Sequence, residues 1–374
     1  MMNLVIVTTV PETLATILRG QPAFLNQYCS IVCITSPGVM LEKVKEHEGV
    51  NVLEVPMNRG ISPFKDLVSI FRMWRSLRRV KPDVVHSYTP KAGLVAMLAA
   101  FLAGVPVRIH TFTGLVFPTS TGFKRKVLVA IDRLICAAAT KVVPEGEGVA
   151  ADLRAQSITS KPLSVIGNGN IAGVDTRYFQ PDTCLPLVHE GSGAFTFCFV
   201  GRLNRDKGLQ ELISAFTSLE GDSTLLLVGD LDATAPVDEV TLKHIQSHPR
   251  IQTTGFLEDI RPALEACDVL ILPSYREGFP NVILQAGAMG KPVIASDING
   301  CNEVIVNDFN GWLVPPRDVS ALAERMVHVM SLSPDERKKL GSNGRARVVE
   351  RYEQTAYRRK LLKFYREVSS EAGL

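Results

Sequence analysis

The feature that most narrows the fold of this chain is a series of short, almost wholly apolar runs, each followed by a helical pattern. Leu4–Val7, Ile31–Thr35, Asn51–Val55, Val84–His86, Val107–Thr111 and Lys141–Val143 form one series. Phe195–Val200, Leu225–Val228, Gln252–Thr253, Val269–Leu272, Val293–Ala295 and Trp312–Val314 form a second. Apolar runs of this kind read as strands buried on both faces, and their alternation with helices predicts a parallel, doubly wound sheet. The clearest intervening helices are Pro63–Val80, the small-residue segment Ala92–Leu102 and Phe123–Ala138, while Thr13–Gln27 is a helix broken by Gly20 and Pro22. Two series in 374 residues predict two domains. The stretch from Ile171 to Ala194 is rich in Gly, Asp, Pro and Ser and lacks periodicity, which puts the boundary there, with domains at 1–185 and 186–350. Arg337–Val349 and Thr355–Val368 read as terminal helices.

Composition excludes several classes. Apolar residues at 46% and charged residues at 21% are a globular balance. The longest uncharged run, Ala92–Val107, is too short to span a bilayer and is closed by Gly104 and Pro106. Met1–Thr9 carries no basic region before its short apolar run, so no secretory signal is expected. Seven scattered cysteines, mostly in strand-like runs, predict reduced thiols of a cytoplasmic protein and neither a disulfide frame nor a metal site. The net charge of +3 is uneven: residues 1–185 hold 20 Lys/Arg against 13 Asp/Glu, and the remainder 21 against 25. Arg72, Arg75, Arg78, Arg79 and Lys81 crowd one helix among Phe71, Trp74 and Leu77, and Lys124, Arg125 and Lys126 follow a Thr-Ser-Thr-Gly loop. These clusters fit an anionic partner or membrane surface, or else a solvated outer face.

The stretch Pro273–Asp297 carries the most specific chemistry. Glu277, Gly278, Phe279 and Pro280 lie between the apolar run Val269–Leu272 and a helix expected over Asn281–Met289, stopped by Gly290. They sit on a strand-to-helix loop at a strand's carboxyl end, where ligands bind in open α/β sheets. The amides of Asn281 and Val282 open that helix and suit an anion, and Gln285 follows one turn later.

This stretch resembles the nucleotide-sugar site of the retaining glycosyltransferases with the GT-B fold (group 1, or family 4-like). The family pattern has two glutamates eight residues apart around G-F-P/G-N. The first matches Glu277 and contacts donor sugar hydroxyls; the second holds the ribose, and here that position is Gln285, whose amide can still bond a diol. Phe199–Gly208 is similar to the family's diphosphate element, which assigns Gly201, Arg202 and Lys207 to the leaving group beside a helix start near Gly208. Val228-Gly229-Asp230 and Thr254-Gly255-Phe256 match positions at the ends of two strands; the second segment contacts the base in the family, Gly229 lets chain and ligand approach closely, and Asp230 is either a ligand contact or a turn cap. The resemblance implies two Rossmann-like doubly wound parallel-sheet domains facing a central cleft, with a last helix, in 351–374, crossing back to the first domain.

The N-terminal half resembles the members that build bacterial surface polysaccharides on lipid carriers. The matching segments are Asp83–Gly93, His110–Gly114 and Gly167–Asp175. Many members carry a histidine before the glycine corresponding to Gly114; that position is Thr113 here, and His110, three residues earlier, is a catalytic candidate or a core residue. Thr13, His86, Thr113 and Gly114 are expected on the acceptor side, with Thr13 alternatively capping its helix and His86 alternatively facing the core. The resemblance implies a retaining transfer of a hexose or N-acetylhexosamine from a nucleotide-diphosphate sugar, uridine being the commonest base. It implies no metal or further cofactor and front-face displacement, since no side chain stands out as a nucleophile. The expected partners are the donor, a lipid-linked glycan acceptor and an anionic inner-leaflet surface, with no nucleic acid. Two rivals remain: a sugar-nucleotide epimerase on the same fold, and a non-catalytic nucleotide-sugar-binding scaffold. A nicotinamide dehydrogenase is disfavoured because no G-x-G-x-x-G follows the first strand.

Overall fold

The computed structural model describes residues 1–58, 60, 62–188, 193–233 and 235–374. Six apolar segments of the first series become β1 (Asn3–Val7), β2 (Ser30–Thr35), β3 (Asn51–Glu54), β4 (Val84–Tyr88), β5 (Val107–Phe112) and β6 (Lys141–Pro144). They form one parallel sheet in the order β3-β2-β1-β4-β5-β6. The second series becomes β7 (Phe195–Val200), β8 (Ser223–Val228), β9 (Ile251–Gly255), β10 (Val269–Leu272), β11 (Val293–Ser296) and β12 (Gly311–Val314). Its parallel sheet runs β12-β11-β10-β7-β8-β9, the same winding. In each sheet the winding reverses beside the first strand, between β1 and β4 and between β7 and β10. The carboxyl edge beside such a reversal is where open α/β sheets form their binding crevice.

The chain divides into two compact units, Met1–Gly173 with Gln354–Leu374, and Val174–Glu353. Val174–Leu185 therefore belongs with the second sheet, and residues 189–192 of the expected boundary stretch lie outside the described residues. In the first unit one sheet face is covered by the helices Pro63–Val80, Pro90–Ala103 and Gly122–Ala138, which bury Met73, Leu77, Ala96, Ala100 and Ile135. The opposite face buries Leu14, Leu18, Leu25, Tyr357, Leu361 and Tyr365. Half of that layer comes from the chain's last helix, Gln354–Glu371. The tyrosine hydroxyl of Tyr365 shares a 2.7 Å hydrogen bond with His86 Nδ1 of β4, Arg358 donates to the Arg19 carbonyl, and Lys141 pairs with Glu371. The core of the second unit is built on Phe197, Phe216, Leu227, Leu272, Leu284 and Trp312.

Local chemistry explains most element ends. The expected break in Thr13–Gln27 is a single π-helical turn, Thr13–Ile17, then a new helix Gln21–Asn26 that starts at Gly20, whose φ of 73° suits glycine. Asp238 and Asp318 cap their helices by accepting backbone N–H bonds, and Ser333 with Glu336 forms a capping box ahead of Pro334. The helix Pro63–Val80 turns its one carboxylate, Asp66, inward, where Lys91 donates to both oxygens at 2.7 Å. Both side chains are nearly enclosed, at 10% and 9% exposure. A pair this dry is costly to break from one side, because the remaining charge is left without water or partner. Replacing Lys91→Met is expected to lower unfolding stability by about 3 kcal/mol or more in urea titrations, and adding Asp66→Leu to recover most of that loss.

Candidate functional site

Four loops of the second unit meet at the carboxyl edge of its sheet, and backbone bonds join them. The Gly201 amide donates to the Val228 carbonyl, the Gly229 amide to the Gly255 carbonyl, and the Leu203 amide to the Asp230 carbonyl, all within 2.9 Å. A Cβ on Gly229 would run into the Gly201 carbonyl, so this glycine makes room for the neighbouring chain itself. Asp230 accepts from the Phe256 amide at 3.1 Å and so ties the loop after β8 to the loop after β9. The Thr254 hydroxyl donates to the Gly255 carbonyl at 2.8 Å, and the Phe256 ring stays 57% exposed at the rim.

The loop after β7 then turns toward β10. Asn204 caps the short 3-10 turn Arg205–Lys207 by accepting from the Lys207 amide, and Gly208, at φ 71°, starts the helix Leu209–Thr217. A side chain at Gly208 would strike the Pro273 carbonyl oxygen. Only glycine lets these two backbones approach so closely. The loop after β10 is fixed on the same side by three contacts of Tyr275. Its amide donates to the Asp206 carbonyl, its hydroxyl donates to both Glu211 oxygens at 2.7 Å, and the Arg317 guanidinium lies 4.4 Å from its ring centre. Burial, then the Glu211 carboxylate, holds the Tyr275 hydroxyl protonated well above its ordinary range.

Across this junction Lys207 Nζ donates to Glu277 Oε1 at 2.5 Å, with the two side chains 22% and 13% exposed. The ion pair therefore bridges the loops that leave β7 and β10, at the reversal of the winding. Gly278 follows; Phe279 is buried with its ring 5.5 Å from that of Tyr352, and Pro280 stands at the cap of the helix Asn281–Ala288. Asn281, Val282 and Gln285 are half-buried on its first two turns. Cys301 lies against the pair: burial raises its thiol well above the usual value, with Glu277 and Asp297 adding and Lys207 opposing. Arg202 is 60% exposed and engaged elsewhere, donating at 2.5 Å to Asp232, which also accepts from Asn204. The expected cations thus meet two different carboxylates. Asp232, and the Tyr275, Glu211 and Arg317 brace, had no signal in the sequence beyond their residue types. Chemically, the arrangement offers mobile positive charge, a carboxylate acceptor and a helix N-terminus in one half-dry crevice, a set suited to an anion with hydroxyls attached.

Comparison with known proteins gives the family and the fold. Residues 194–331 match the family model described as "Glycosyl transferases group 1", and residues 30–169 that of the "Glycosyl transferase 4-like domain". Over 349 residues, 90% of either chain, the protein is 30% identical to the capsular polysaccharide biosynthesis glycosyltransferase CapM of Staphylococcus aureus. This chain belongs to the group 1 glycosyltransferases. It is also 30% identical, over 75% of each chain, to the Escherichia coli UDP-Gal:alpha-D-GlcNAc-diphosphoundecaprenol alpha-1,3-galactosyltransferase. Among solved structures, HepE of Anabaena in complex with UDP-glucose superposes with a TM-score of 0.79 at 18% identity, covering 98% of this chain and 100% of that one. The fold of this glycosyltransferase is thereby GT-B.

In the first unit of this group 1 glycosyltransferase, two sequence expectations need correction. His110 and His86, expected on the catalytic and acceptor sides, are both wholly buried. His110 shares a 2.8 Å bond with Ser87 Oγ, packs edge-on against Phe112, and fills the space left by Gly93; its Nε2 meets no partner among the described residues. His86 is bonded at both nitrogens, to Tyr365 and Thr111. A parallel strand covered on both faces encloses its polar residues as fully as its apolar ones. Thr13 is buried and takes no capping role, the cap position being Glu12. Thr113 and Gly114 are half-buried in the loop leaving β5, with Gly114 at φ 89°. Burial drives the pKa of His110 down to about 3, and that of His86 well below its ordinary value, so both stay neutral in the fold. The unfolded chain takes up these protons near pH 6.5, so stability is full above that pH and falls as the pH drops below it. Between about pH 7.5 and 5.5, His110→Asn is expected to remove roughly 1.4 kcal/mol of the native protein's stability loss, as read by urea unfolding at the two pH values.

Proposed function

We propose that this glycosyltransferase is a retaining enzyme that moves a hexose or N-acetylhexosamine from a nucleotide-diphosphate sugar, with uridine as base, to a lipid-linked glycan in bacterial polysaccharide biosynthesis. The observation that carries the reading is the Lys207–Glu277 pair, which joins the loops of β7 and β10 at the one place where the second sheet opens. An arriving donor offers this pair a diphosphate and a ring of hydroxyls. Lys207 then turns to the diphosphate, assisted by Arg202 and the amides opening the helix at Asn281, and Glu277 accepts from the sugar hydroxyls. Gln285 faces the ribose, and Gly201, Gly229 and Thr254–Phe256 form the floor and rim for the base. The bond from sugar C1 to the β-phosphate oxygen breaks as the acceptor oxygen bonds to C1 from the same face. The acceptor's proton passes to the departing phosphate. Positive charge from Lys207 and Arg202 beside the departing diphosphate stabilises that leaving group, so we assign no metal to the step.

Support for the acceptor class comes from the relatives, two of which bear names that specify a diphosphoundecaprenol-linked sugar. A lipid-linked acceptor brings the reaction to a membrane surface, and no helix among the described residues is long and apolar enough to cross one. We assign the membrane-facing side to the basic clusters of the first unit, around Arg72–Lys81 and Lys124–Lys126.

The test is incubation with uridine diphosphate sugars and a polyprenyl-diphosphate N-acetylhexosamine, with the product identified by mass spectrometry and its anomeric configuration by NMR. The native protein should yield a product that keeps the donor's configuration. Glu277→Ala and Lys207→Ala should each lower turnover by about 100-fold or more. An inverted product overturns the retaining assignment, and an isomeric sugar nucleotide formed without acceptor favours the epimerase.

A further inference from the structure

The basic helix of the first unit also carries an apolar stripe that no described residue of the unit covers. Along Pro63–Val80 the inward residues are Asp66, Ser69, Met73 and Leu77. Phe64, Leu67, Val68 and Phe71 point the other way, at 86%, 63%, 51% and 59% exposure. Their spacing of three, four and seven residues sets them on one face over two turns, a length of about 10 Å. Large apolar side chains scattered singly on a surface need no explanation, but four in one stripe mark an interaction site. Exposed Lys65, Arg72, Arg75, Arg78 and Arg79 flank it. The only carboxylate of the helix is Asp66, turned away and held by Lys91. The outward face therefore presents hydrocarbon with cations beside it and no acid.

A second helix extends the surface. Gly122–Ala138 lies in the same layer, on the far side of Pro90–Ala103, and begins with Phe123 at 81% exposure and the exposed Lys124 and Lys126. Each helix of this layer follows one strand of the parallel sheet and precedes the next, so their first turns all lie at the carboxyl edge. The stripe on Pro63–Val80 and the Phe123 turn thus share one edge, where the crevice of the first sheet also opens.

From this we infer that Phe64, Leu67, Val68 and Phe71, with Phe123, insert shallowly into the acyl boundary of an anionic bilayer leaflet, while the neighbouring arginines and lysines bind its phosphates. This rests on the proposed membrane-surface reaction and deepens it: attachment depends on buried apolar area as well as on charge. Charge selects the occupant, because a leaflet rich in anionic headgroups matches both the hydrocarbon and the surrounding cations. Insertion along this edge would bring a lipid-linked acceptor to the mouth of the first unit's crevice without the protein spanning the bilayer.

The experiment uses the full chain and sedimented vesicles of phosphatidylcholine alone or with phosphatidylglycerol. The native protein should bind the anionic vesicles and not the neutral ones, and half-molar salt should weaken binding without abolishing it. Phe64→Ser with Phe71→Ser should reduce affinity for anionic vesicles about tenfold or more, while leaving turnover of a short-chain, water-soluble acceptor unchanged. Phe64→Trp should add fluorescence that brominated lipid quenches. If the double serine variant binds as the native protein does, and only Arg75→Glu with Arg78→Glu releases it, contact is electrostatic and insertion is overturned while the surface reading stands. Concentration-dependent dimers that the serine pair abolishes, with no vesicle binding, make the occupant a second copy and overturn the proposal. Turnover of the soluble acceptor is read separately, so loss of vesicle binding and failure of the transferase assignment are distinguishable.

Discussion

The close approach of Gly208 to the Pro273 carbonyl is the contact on which the crevice of the second unit depends. It lets the loop leaving β7 lie directly on the loop leaving β10, and the other contacts between them follow. The Asp206 carbonyl can then receive the Tyr275 amide, Glu211 can receive the Tyr275 hydroxyl, and Lys207 is carried to Glu277. Two side chains on flexible loops would lose much rotamer freedom in forming such a pair. Here the loops are already fixed by backbone contacts, so the pair forms between pre-positioned ends. A site whose first contacts are held by a braced second layer keeps its geometry when a ligand takes over one of the charges.

Both units reach this design by the same winding, and most of that was legible in the residues. Twelve short apolar runs correspond to the twelve strands, because a strand covered on both faces leaves a plain mark in composition. The helix signals were also direct: Pro63–Val80 was read with both its ends, and the segment read as Ala92–Leu102 extends in the fold only to Pro90 and Ala103. The glutamate-bearing loop was legible because its position, between an apolar strand and a short helix, fixes it at the carboxyl edge. What stayed hidden were relations between loops distant in sequence. Asp232 lies 30 residues from the arginine it binds, and Tyr275 lies 64 from Glu211. Neither pair has a periodicity to announce it.

The buried histidines illustrate a different limit. A polar residue near the end of an apolar run reads equally well as a site residue or as a core residue, since side-chain direction in a doubly covered strand leaves no trace in the pattern. For His86 the deciding fact is a hydroxyl from Tyr365, 279 positions later, and for His110 it is the space beside a helical glycine. Both outcomes follow from packing layers that assemble only in three dimensions. The first unit thus keeps a neutral, hydrogen-bonded polar seam inside its sheet, and that seam fastens the last helix to β4.

That helix gives the first unit a discontinuous chain, and discontinuity orders events in time. During synthesis residues 1–173 emerge long before Gln354–Glu371, and the whole of Val174–Glu353 leaves the ribosome in between. The second unit is contiguous and has all of its own residues once Glu353 is out. The first must wait with a sheet face that carries Leu4, Ile6, Val84 and Ile109 only partly covered until its closing helix arrives. A nascent chain in that condition presents a sticky, half-finished sheet to the cell, and its safe completion falls to whatever shields it during those seconds of elongation.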